Sequence, residues 1–288
     1  MIFTPLNRES ILPLTCSRSG SCCHGNRVRL NPWELRLLAD AKGLSVVEFQ
    51  ECFTTGGGIF LRFDGNTNLS GRKACNLYLD DSGCSVHPAR PLACRLFPLG
   101  RVIQHGEATY MHPGADFPCL SECAEVLDLP KMSVANYLSG QETAQFEQAQ
   151  DAYMEVMQNL ADIALTLLLD TGLLEYDEFQ VLATWKQLGN TTPELLSSKI
   201  GEAWLKRLLQ PNLSMDLLDP GAFIQAHNEL LLQYAQILCD HLTSMEEIFD
   251  ASNQMMAMAL FMAHAVGADA TGLSEWWVQI ATENGAEH

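Results

Sequence analysis

The sequence predicts a mainly α-helical protein, with a small cysteine-rich domain of little β structure in residues 1–123 and an all-α helical bundle in residues 124–288. Nine of the ten cysteines lie in the first part. That part holds 12 Lys+Arg and 11 Asp+Glu, whereas the second part holds 5 and 24, so the net charges are +1 and −19. Apolar residues recur at helical spacing mostly in the second part. We place the boundary near residues 124–132, where a proline follows the change in composition.

The composition also bounds the class of protein. A chain of 288 residues with 47% hydrophobic and 18% charged residues can bury a core and suits two domains of ordinary size. The first residues lack the basic region of a signal peptide, and the longest apolar run, residues 255–268, is too short to span a bilayer. We therefore expect a cytoplasmic protein. Because thiols stay reduced there, clustered cysteines indicate metal binding rather than disulfides.

Two helices are predicted near the start of the chain. Asn31 is an N-cap residue followed by a proline at the first helical position and Glu34 at the third, so a helix should run from Asn31 to Lys42. Gly43 should end it. Ser45 and Glu48 have capping-box spacing, which predicts a second helix through Phe53.

Short β structure is expected after these helices. The run Ile59–Phe63 suits one strand, and we expect it to pair with Asn76–Leu79. The Asp-Asp-Ser-Gly cluster at 80–83 predicts a turn. The three glycines at 56–58 lack the lysine and spacing of a phosphate-binding loop, so they predict a flexible turn.

Eight cysteines are candidate metal ligands, because zinc and iron–sulfur clusters both take thiolate donors from converging loops. They are Cys16, Cys22, Cys23, Cys75, Cys84, Cys94, Cys119 and Cys123. Two of them are adjacent and leave the backbone in different directions, which indicates two centres or one polynuclear centre. Either metal suits a cytoplasmic thiolate site, with a slight preference for iron–sulfur because eight thiolates exceed what one zinc ion needs. Three cations could offset the remaining charge, namely Arg90, Arg95 and Arg101.

These motifs resemble the YkgJ-like cysteine-cluster family, a zinc- or iron-chelating domain. The family pattern is CxxCGxCC, a later pair of cysteines and RPxxCRxFP; here TCSRSGSCC and RPLACRLFP carry the resemblance, over about residues 14–123. The chain departs from the pattern at Ser19, which occupies the position of a cysteine and is a poor ligand for a soft metal. Cys119, Cys123 and His87 are candidates to replace it.

Other cysteines and histidines have plainer interpretations. Cys52 and Cys239 lie in helical patterns without partners at metal spacing, so we expect both in the core. His24 follows the cysteine pair but is expected to be structural more often than a ligand.

About six helices are predicted in the second part. They span Tyr137–Leu169, Tyr176–Leu188, Pro193–Leu209, Phe223–Leu242, Met245–Ala265 and Ser274–Ile280. The methionines between 255 and 262 are expected in the core, and Trp276 and Trp277 are expected to pack against the bundle.

The charge of this part disfavours nucleic-acid and anionic-membrane binding, because both surfaces are negative. A basic protein partner fits the charge, although a solvated acidic surface explains it more simply. The oligomeric state stays open.

Three functions are consistent with these patterns. The first is a metal-binding cysteine-cluster protein of uncharacterised biochemical role. The second is a metal-dependent protein-modifying enzyme, because the resemblance extends distantly to flagellin lysine N-methylases; Val126 stands where radical-SAM spacing after Cys119 and Cys123 would need a cysteine. The third is a zinc-stapled adaptor that binds a basic partner. No residue can be named as catalytic.

Overall fold

The structure, a computed structural model, describes residues 4–13, 20–104, 107–112, 128–213 and 219–286. It is mainly helical, with 61% helix and 11% strand, which confirms the predicted fold class. Contacts group the described residues into two compact units, one from 1–28 and 61–147, the other from 29–60 and 148–288. This grouping by contacts does not test the predicted division into domains 1–123 and 124–288, which stays a prediction.

The first unit contains most of the β structure. Strands β1, β8 and β7 form a three-stranded antiparallel sheet in that order, and β2 pairs with β9. Helices α3 and α4 also belong to this unit. The strands of the chain are β1 Thr4–Leu6, β2 Ile11–Leu12, β3 Thr54–Thr55, β4 Phe60–Leu61, β5 Tyr78–Leu79, β6 Gly83–Cys84, β7 Gly100–Gln104, β8 Glu107–His112 and β9 Met132–Ser133.

The predicted strand pairing of Ile59–Phe63 with Asn76–Leu79 is wrong, although one backbone hydrogen bond of 3.0 Å, from the Asn76 amide to the Arg62 carbonyl, joins the two segments. Strand β4 is shorter than expected and pairs with β3, while β5 folds back on β6 as a hairpin. Gly83 adopts a φ of 79°, a left-handed conformation that glycine enters without steric cost and that lets the chain reverse so tightly. The turn predicted at 80–83 is therefore confirmed.

The second unit is a helical bundle joined by the first two helices of the chain. Helices described in the structure are α1 Pro32–Lys42, α2 Val46–Phe53, α3 Leu92–Leu96, α4 Val134–Gly140, α5 Ala144–Asp170, α6 Leu173–Gly189, α7 Pro193–Ile200, α8 Glu202–Leu209, α9 Pro220–Cys239, α10 Met245–Val266 and α11 Ala270–Glu283. Helix α10 packs against α6, α7 and α11.

Helix starts follow the predicted capping signals. Asn31 and Glu34 form a capping box at the start of α1, and Ser45 and Glu48 form another at the start of α2. Gly43, with a φ of 66°, ends α1 in a left-handed conformation. Each of these signals is local, which is why the sequence alone located the helix ends.

Two predicted helices of the bundle are each broken once. The segment Tyr137–Leu169 is two helices, because the chain leaves the helical conformation before α5 and Glu142 takes a φ of 53°. The segment Pro193–Leu209 breaks at Gly201, which has a φ of 80°. The other predicted helices are present, with ends that differ by a few residues.

The core of the bundle contains the predicted methionines. Met255, Met256, Met258 and Met262 are fully buried in α10, so they form packing surface and not a binding groove. Trp277 is also fully buried, whereas Trp276 keeps 49% of its surface exposed, so only one of the pair packs as predicted.

The three glycines at 56–58 form a short 3-10 turn. A Cβ atom on Gly57 would lie 2.7 Å from the Cβ of Ser197 and 3.0 Å from the ring of Phe261. The glycine is therefore required by close packing against α7 and α10, and the turn carries no phosphate-binding lysine.

None of the helices in the described ranges is long and apolar enough to cross a lipid bilayer.

Candidate metal centre

A tight turn positions the adjacent cysteines. Gly20 precedes the 3-10 turn Ser21–Cys23 with a φ of 75°, and the amide of Cys23 donates a hydrogen bond of 2.8 Å to the Gly20 carbonyl. A Cβ on Gly20 would lie 2.8 Å from the hydroxyl oxygen of Tyr78, so both backbone conformation and space require glycine here. The Sγ atoms of Cys22 and Cys23 lie 3.8 Å apart at the end of this turn.

The β5–β6 hairpin and the segment that leads into it supply two more thiols. The amide of Cys75 donates a 2.8 Å hydrogen bond to the carbonyl of Cys23, which ties the approach to the hairpin to the cysteine turn. Cys84 lies opposite Tyr78 in the hairpin register. Cys75 is buried and Cys84 is half-buried. Backbone hydrogen bonds therefore fix the relative positions of Cys23, Cys75 and Cys84.

Cys94 lies in the short helix α3, which begins after Pro91. Its amide donates a hydrogen bond of 2.9 Å to the Pro91 carbonyl. The proline fixes the backbone angle at which the chain enters the helix, so the thiol is presented at a lower entropic cost than on a free loop.

The five thiols Cys22, Cys23, Cys75, Cys84 and Cys94 line one cavity of about 640 Å³. They come from three separate elements: the turn at 22–23, the hairpin region at 75–84 and helix α3. In the described part of the chain, no three Cys, His, Asp or Glu side chains are already grouped closely enough to hold a metal ion. The thiols therefore share a cavity without forming a finished coordination sphere among themselves.

The cysteine pair shares a proton. The sulfur atoms of Cys22 and Cys23 share one hydrogen bond, and this contact lowers the pKa of Cys22 to about 7, assisted by the positive charge of Arg90. The same bond raises the pKa of Cys23, which loses hydration and also lies near the charges of Cys94 and Cys84. Ionisation of one thiol of the pair is therefore favoured, and ionisation of the second is opposed.

The remaining thiols resist ionisation. Burial raises the pKa of Cys75 to about 11, with smaller contributions from the nearby Cys84 and Asp64 charges. Loss of hydration raises the pKa of Cys94 well above its usual value, and the neighbouring cysteines raise it further. Thiolates in this cavity repel one another, so a bound cation would relieve both the repulsion and the cost of burial.

The three arginines proposed as counter-charges behave differently from one another. Arg90 lines the cavity and lowers the pKa of both Cys22 and Cys94, as predicted for a counter-charge. Arg101 lies in the sheet, where its charge acts on Tyr110. Only Arg90 of the three is shown to act on the thiols.

Arg95 donates hydrogen bonds to three backbone carbonyls. Its guanidinium donates hydrogen bonds of 2.8 Å to the Arg90 carbonyl, 2.8 Å to the Gln141 carbonyl and 2.5 Å to the Pro88 carbonyl. It also lies 4.0 Å from the ring centroid of Phe146. The buried arginine next to Cys94 therefore fixes the loop that carries that thiol.

Three of the predicted ligands, Cys16, Cys119 and Cys123, lie outside the described residues, as does Ser19. His87 is exposed and lines the cavity. His24 packs edge-on against Tyr78, with ring centroids 5.0 Å apart, and its Nδ1 lies 3.0 Å from the Gly20 carbonyl.

The two cysteines predicted in the core differ. Cys52 is exposed on α2, so its prediction is wrong: it lies on the outer face of a two-turn helix whose buried residue is Phe49. Cys239 is half-buried at the end of α9. Neither lines the cysteine cavity.

Two other side chains that shape the site were not predicted from the sequence. Tyr78 lines the cavity beside Gly20, and Asn26 donates a 2.6 Å hydrogen bond to the Cys22 carbonyl. Neither occurs in the cysteine motifs, and a lone tyrosine or asparagine in a loop carries no signal of its own.

Thiols gathered on short loops and one helical turn are the type of donor set that zinc and iron–sulfur centres use. Residues 15–113 match the CxxCxxCC family, described as "Putative zinc- or iron-chelating domain", which confirms the resemblance found in the motifs. The matched segment is about a third of the chain. No curated protein and no solved structure matches the chain.

Proposed function

We propose that the cysteine cavity holds a metal centre on Cys22, Cys23, Cys75, Cys84 and Cys94, completed by Cys16, Cys119 and Cys123. The observation that carries the proposal is the convergence of five thiols from three separate segments on one cavity. Buried thiols that raise one another's pKa are costly without a cation, and metal binding supplies that cation and displaces the protons.

An iron–sulfur centre is favoured over a single zinc ion. Zinc in a structural site takes four ligands, and five described thiols already exceed that number. A polynuclear centre or two centres would use the adjacent Cys22 and Cys23 on different metal atoms. Such a centre also fits a reducing compartment such as the cytoplasm, where these cysteines stay free.

The proposal is tested by purifying the protein without oxygen and measuring iron, zinc and sulfide together with the visible spectrum. Matched iron and sulfide in a coloured sample would establish a cluster; stoichiometric zinc in a colourless sample would establish a structural site instead. The variants Cys84→Ser and Cys94→Ser should each lose metal, whereas Cys52→Ser and Cys239→Ser should keep it, because these two lie outside the cavity. Unchanged metal content in both Cys84→Ser and Cys94→Ser would refute the proposed ligand set.

A further inference from the structure

The two adjacent cysteines are placed to react with each other as well as to bind metal. The Sγ atoms of Cys22 and Cys23 lie 3.8 Å apart, and both side chains are half-buried on the wall of the cysteine cavity. Redox-sensitive cysteines have this arrangement: one accessible thiol reacts with an oxidant, and a thiol beside it resolves the product. The cysteine pair therefore has a chemistry that the metal centre does not use.

Hydrogen bonds hold the backbone of the cysteine pair on both residues. The amide of Cys23 donates to the Gly20 carbonyl at 2.8 Å, and its carbonyl accepts from the Cys75 amide at 2.8 Å. The carbonyl of Cys22 accepts from Nδ2 of Asn26 at 2.6 Å. The contact between the two sulfur atoms is thus built into the folded turn, and the thiols meet without a search through open loop conformations.

A disulfide between neighbouring residues is strained. The peptide bond between Cys22 and Cys23 is trans. Consecutive Cα atoms across such a bond are about 3.8 Å apart, whereas disulfides usually join Cα atoms about 4.4–6.8 Å apart. Because strain makes a disulfide easier to reduce, a bond at this position should open again under a mild thiol reductant.

We propose that Cys22 and Cys23 form a reversible disulfide when metal is absent, and that this bond controls metal loading of the cysteine cavity. The inference rests on the proposed function, because both residues are proposed ligands. Hydrogen peroxide is the oxidant: it transfers one oxygen atom to a thiol, which becomes a sulfenic acid, and is itself reduced to water. The second thiol then attacks the sulfenic sulfur, so the S–O bond breaks, the S–S bond forms and a second water molecule leaves.

Closing the bond removes two donors from the ligand set at once. Metal sites of this kind bind thiolates, and a disulfide sulfur is not one. Bound metal has the converse effect, because it engages the sulfur atoms that the oxidant would attack. Metal and disulfide therefore exclude each other, so that the cavity loads only in the reduced protein.

Peptide mapping locates the bond. The full-length protein is freed of metal with a chelator in the absence of oxygen, treated with one equivalent of hydrogen peroxide, alkylated and digested with trypsin. Cleavage after Arg18 and Arg27 isolates residues 19–27, which contain the cysteine pair and no other cysteine. We expect this peptide to lack two hydrogen atoms and to carry no alkyl group, whereas Cys52, an exposed thiol outside the cavity, stays available for alkylation.

Three results of the mapping would overturn the proposal. Residues 19–27 joined to residues 74–95, which carry the other three thiols of the cavity, would assign the bond to a different pair. Preferential oxidation of Cys52 would show that exposure alone decides which thiol reacts. The same products from protein unfolded in urea, where thiols can find partners with less strain, would show that the folded turn does not direct the bond.

Metal uptake distinguishes this inference from the proposed metal centre. Reduced and peroxide-treated proteins are each titrated with zinc, and separately with ferrous iron, in competition with a chelating dye. We expect the oxidised protein to bind at least about tenfold more weakly, since changes outside the ligand shell alone have effects of that size. Dithiothreitol should restore the affinity, and Cys52→Ser should behave as the original protein does.

Equal affinities in a sample whose disulfide has been mapped would refute the control of metal loading. Uptake of neither metal by the reduced protein would refute the proposed metal centre, and with it the control of loading, whereas a disulfide mapped to residues 19–27 would stand.

Discussion

The hydroxyl group of Tyr153 and Nδ1 of His227 lie 3.0 Å apart in the core of the helical unit. The other ring nitrogen of His227 lies 3.0 Å from the Arg207 carbonyl oxygen, which can only accept. Nε2 therefore carries the imidazole proton, and the tyrosine hydroxyl donates to Nδ1. Both side chains are fully buried, and burial lowers the pKa of His227 to about 4. The imidazole is neutral at pH 7, and both of its nitrogens are hydrogen-bonded.

We expect the free energy of unfolding to fall as the pH drops from 6.5, the ordinary pKa of histidine, to about 4. In this window the unfolded chain binds a proton at His227 that the folded protein does not, whereas above it both states are neutral. The loss amounts to about 3 kcal/mol over the full window. Urea unfolding followed by tryptophan fluorescence measures it, because all five tryptophans lie in the second unit.

The variant His227→Gln separates this effect from the titration of carboxylates. It should show a smaller fall in stability across the same window, because glutamine has no proton to gain. Equal pH dependence in the variant and the original protein would mean that His227 is not the titrating group.

The variant Tyr153→Phe should destabilise the helical unit by about 1–3 kcal/mol, because it leaves the buried Nδ1 of His227 without a donor. Tyr234→Phe is the matched control. The Tyr234 ring lies under the Arg207 guanidinium at 4.4 Å, and that contact survives the loss of the hydroxyl. We expect a change of under about 0.5 kcal/mol for the control. Urea unfolding followed by tryptophan fluorescence measures both variants, and similar midpoints would contradict a stabilising role for the hydrogen bond.

Local signals in the sequence predicted most of the helical structure. The capping pair of Asn31 and Glu34 located the start of α1, and helical spacing placed Met255 and Met262 in the core. These signals depend on residues three or four positions apart, so they are present before the chain folds. The break at Glu142 was missed although Gly140, the last residue of α4, marks it, because apolar residues continue at helical spacing on both sides.

The sequence predicted that several cysteines would lie together, but it did not predict the residues that hold them in place; that these cysteines bind a metal stays a prediction. The motif spacing brought Cys75, Cys84 and Cys94 together as expected. The pairing of Tyr78 with Cys84 and the hydrogen bonds of Arg95 to backbone carbonyls join residues that come together only when the chain folds. Local sequence patterns therefore do not reveal them. Short apolar runs carry no information on strand register. An arginine next to a cysteine can either balance the thiolate charge or donate hydrogen bonds to backbone carbonyls, and the sequence does not distinguish these roles.

Gly57→Ala should destabilise the second unit more than Gly43→Ala. The two glycines have φ values of 68° and 66°, so alanine meets the same backbone strain at both. A Cβ at Gly43 meets nothing within 4 Å, whereas one at Gly57 would contact Ser197 at 2.7 Å. We expect about 1 kcal/mol for Gly43→Ala and about 1–3 kcal/mol more for Gly57→Ala, from overpacking. Urea unfolding followed by tryptophan fluorescence measures the stability of both variants. Equal losses of stability would show that packing at the glycine turn is loose.

Arg95→Lys should lower the metal content and the thermal stability of the first unit. Lysine keeps the positive charge, but it cannot reach three carbonyls in the fixed geometry of a guanidinium, so buried acceptors lose their donor. We expect a loss of about 2 kcal/mol or more. Arg36→Lys, at a half-exposed position on α1, is the control and should change neither quantity. If Arg95→Lys kept full metal content and stability, the charge alone would account for this residue.

Removing the proposed metal should release the backbone around the thiols. Without a cation, Cys75 and Cys94 must stay protonated in a cavity where nearby thiolates oppose further ionisation, and the loops lose the ligand bonds that would hold them. Hydrogen–deuterium exchange before and after chelation should therefore show faster exchange in peptides that cover Cys75–Cys84 and α3, including the amide of Cys75 that donates to the Cys23 carbonyl. Peptides from the buried centre of α10 serve as the internal control, because they lie in the other unit. Unchanged exchange at Cys75 and in α3, in a sample shown by elemental analysis to be metal-free, would mean that hydrogen bonds such as those of Arg95 suffice to organise the site.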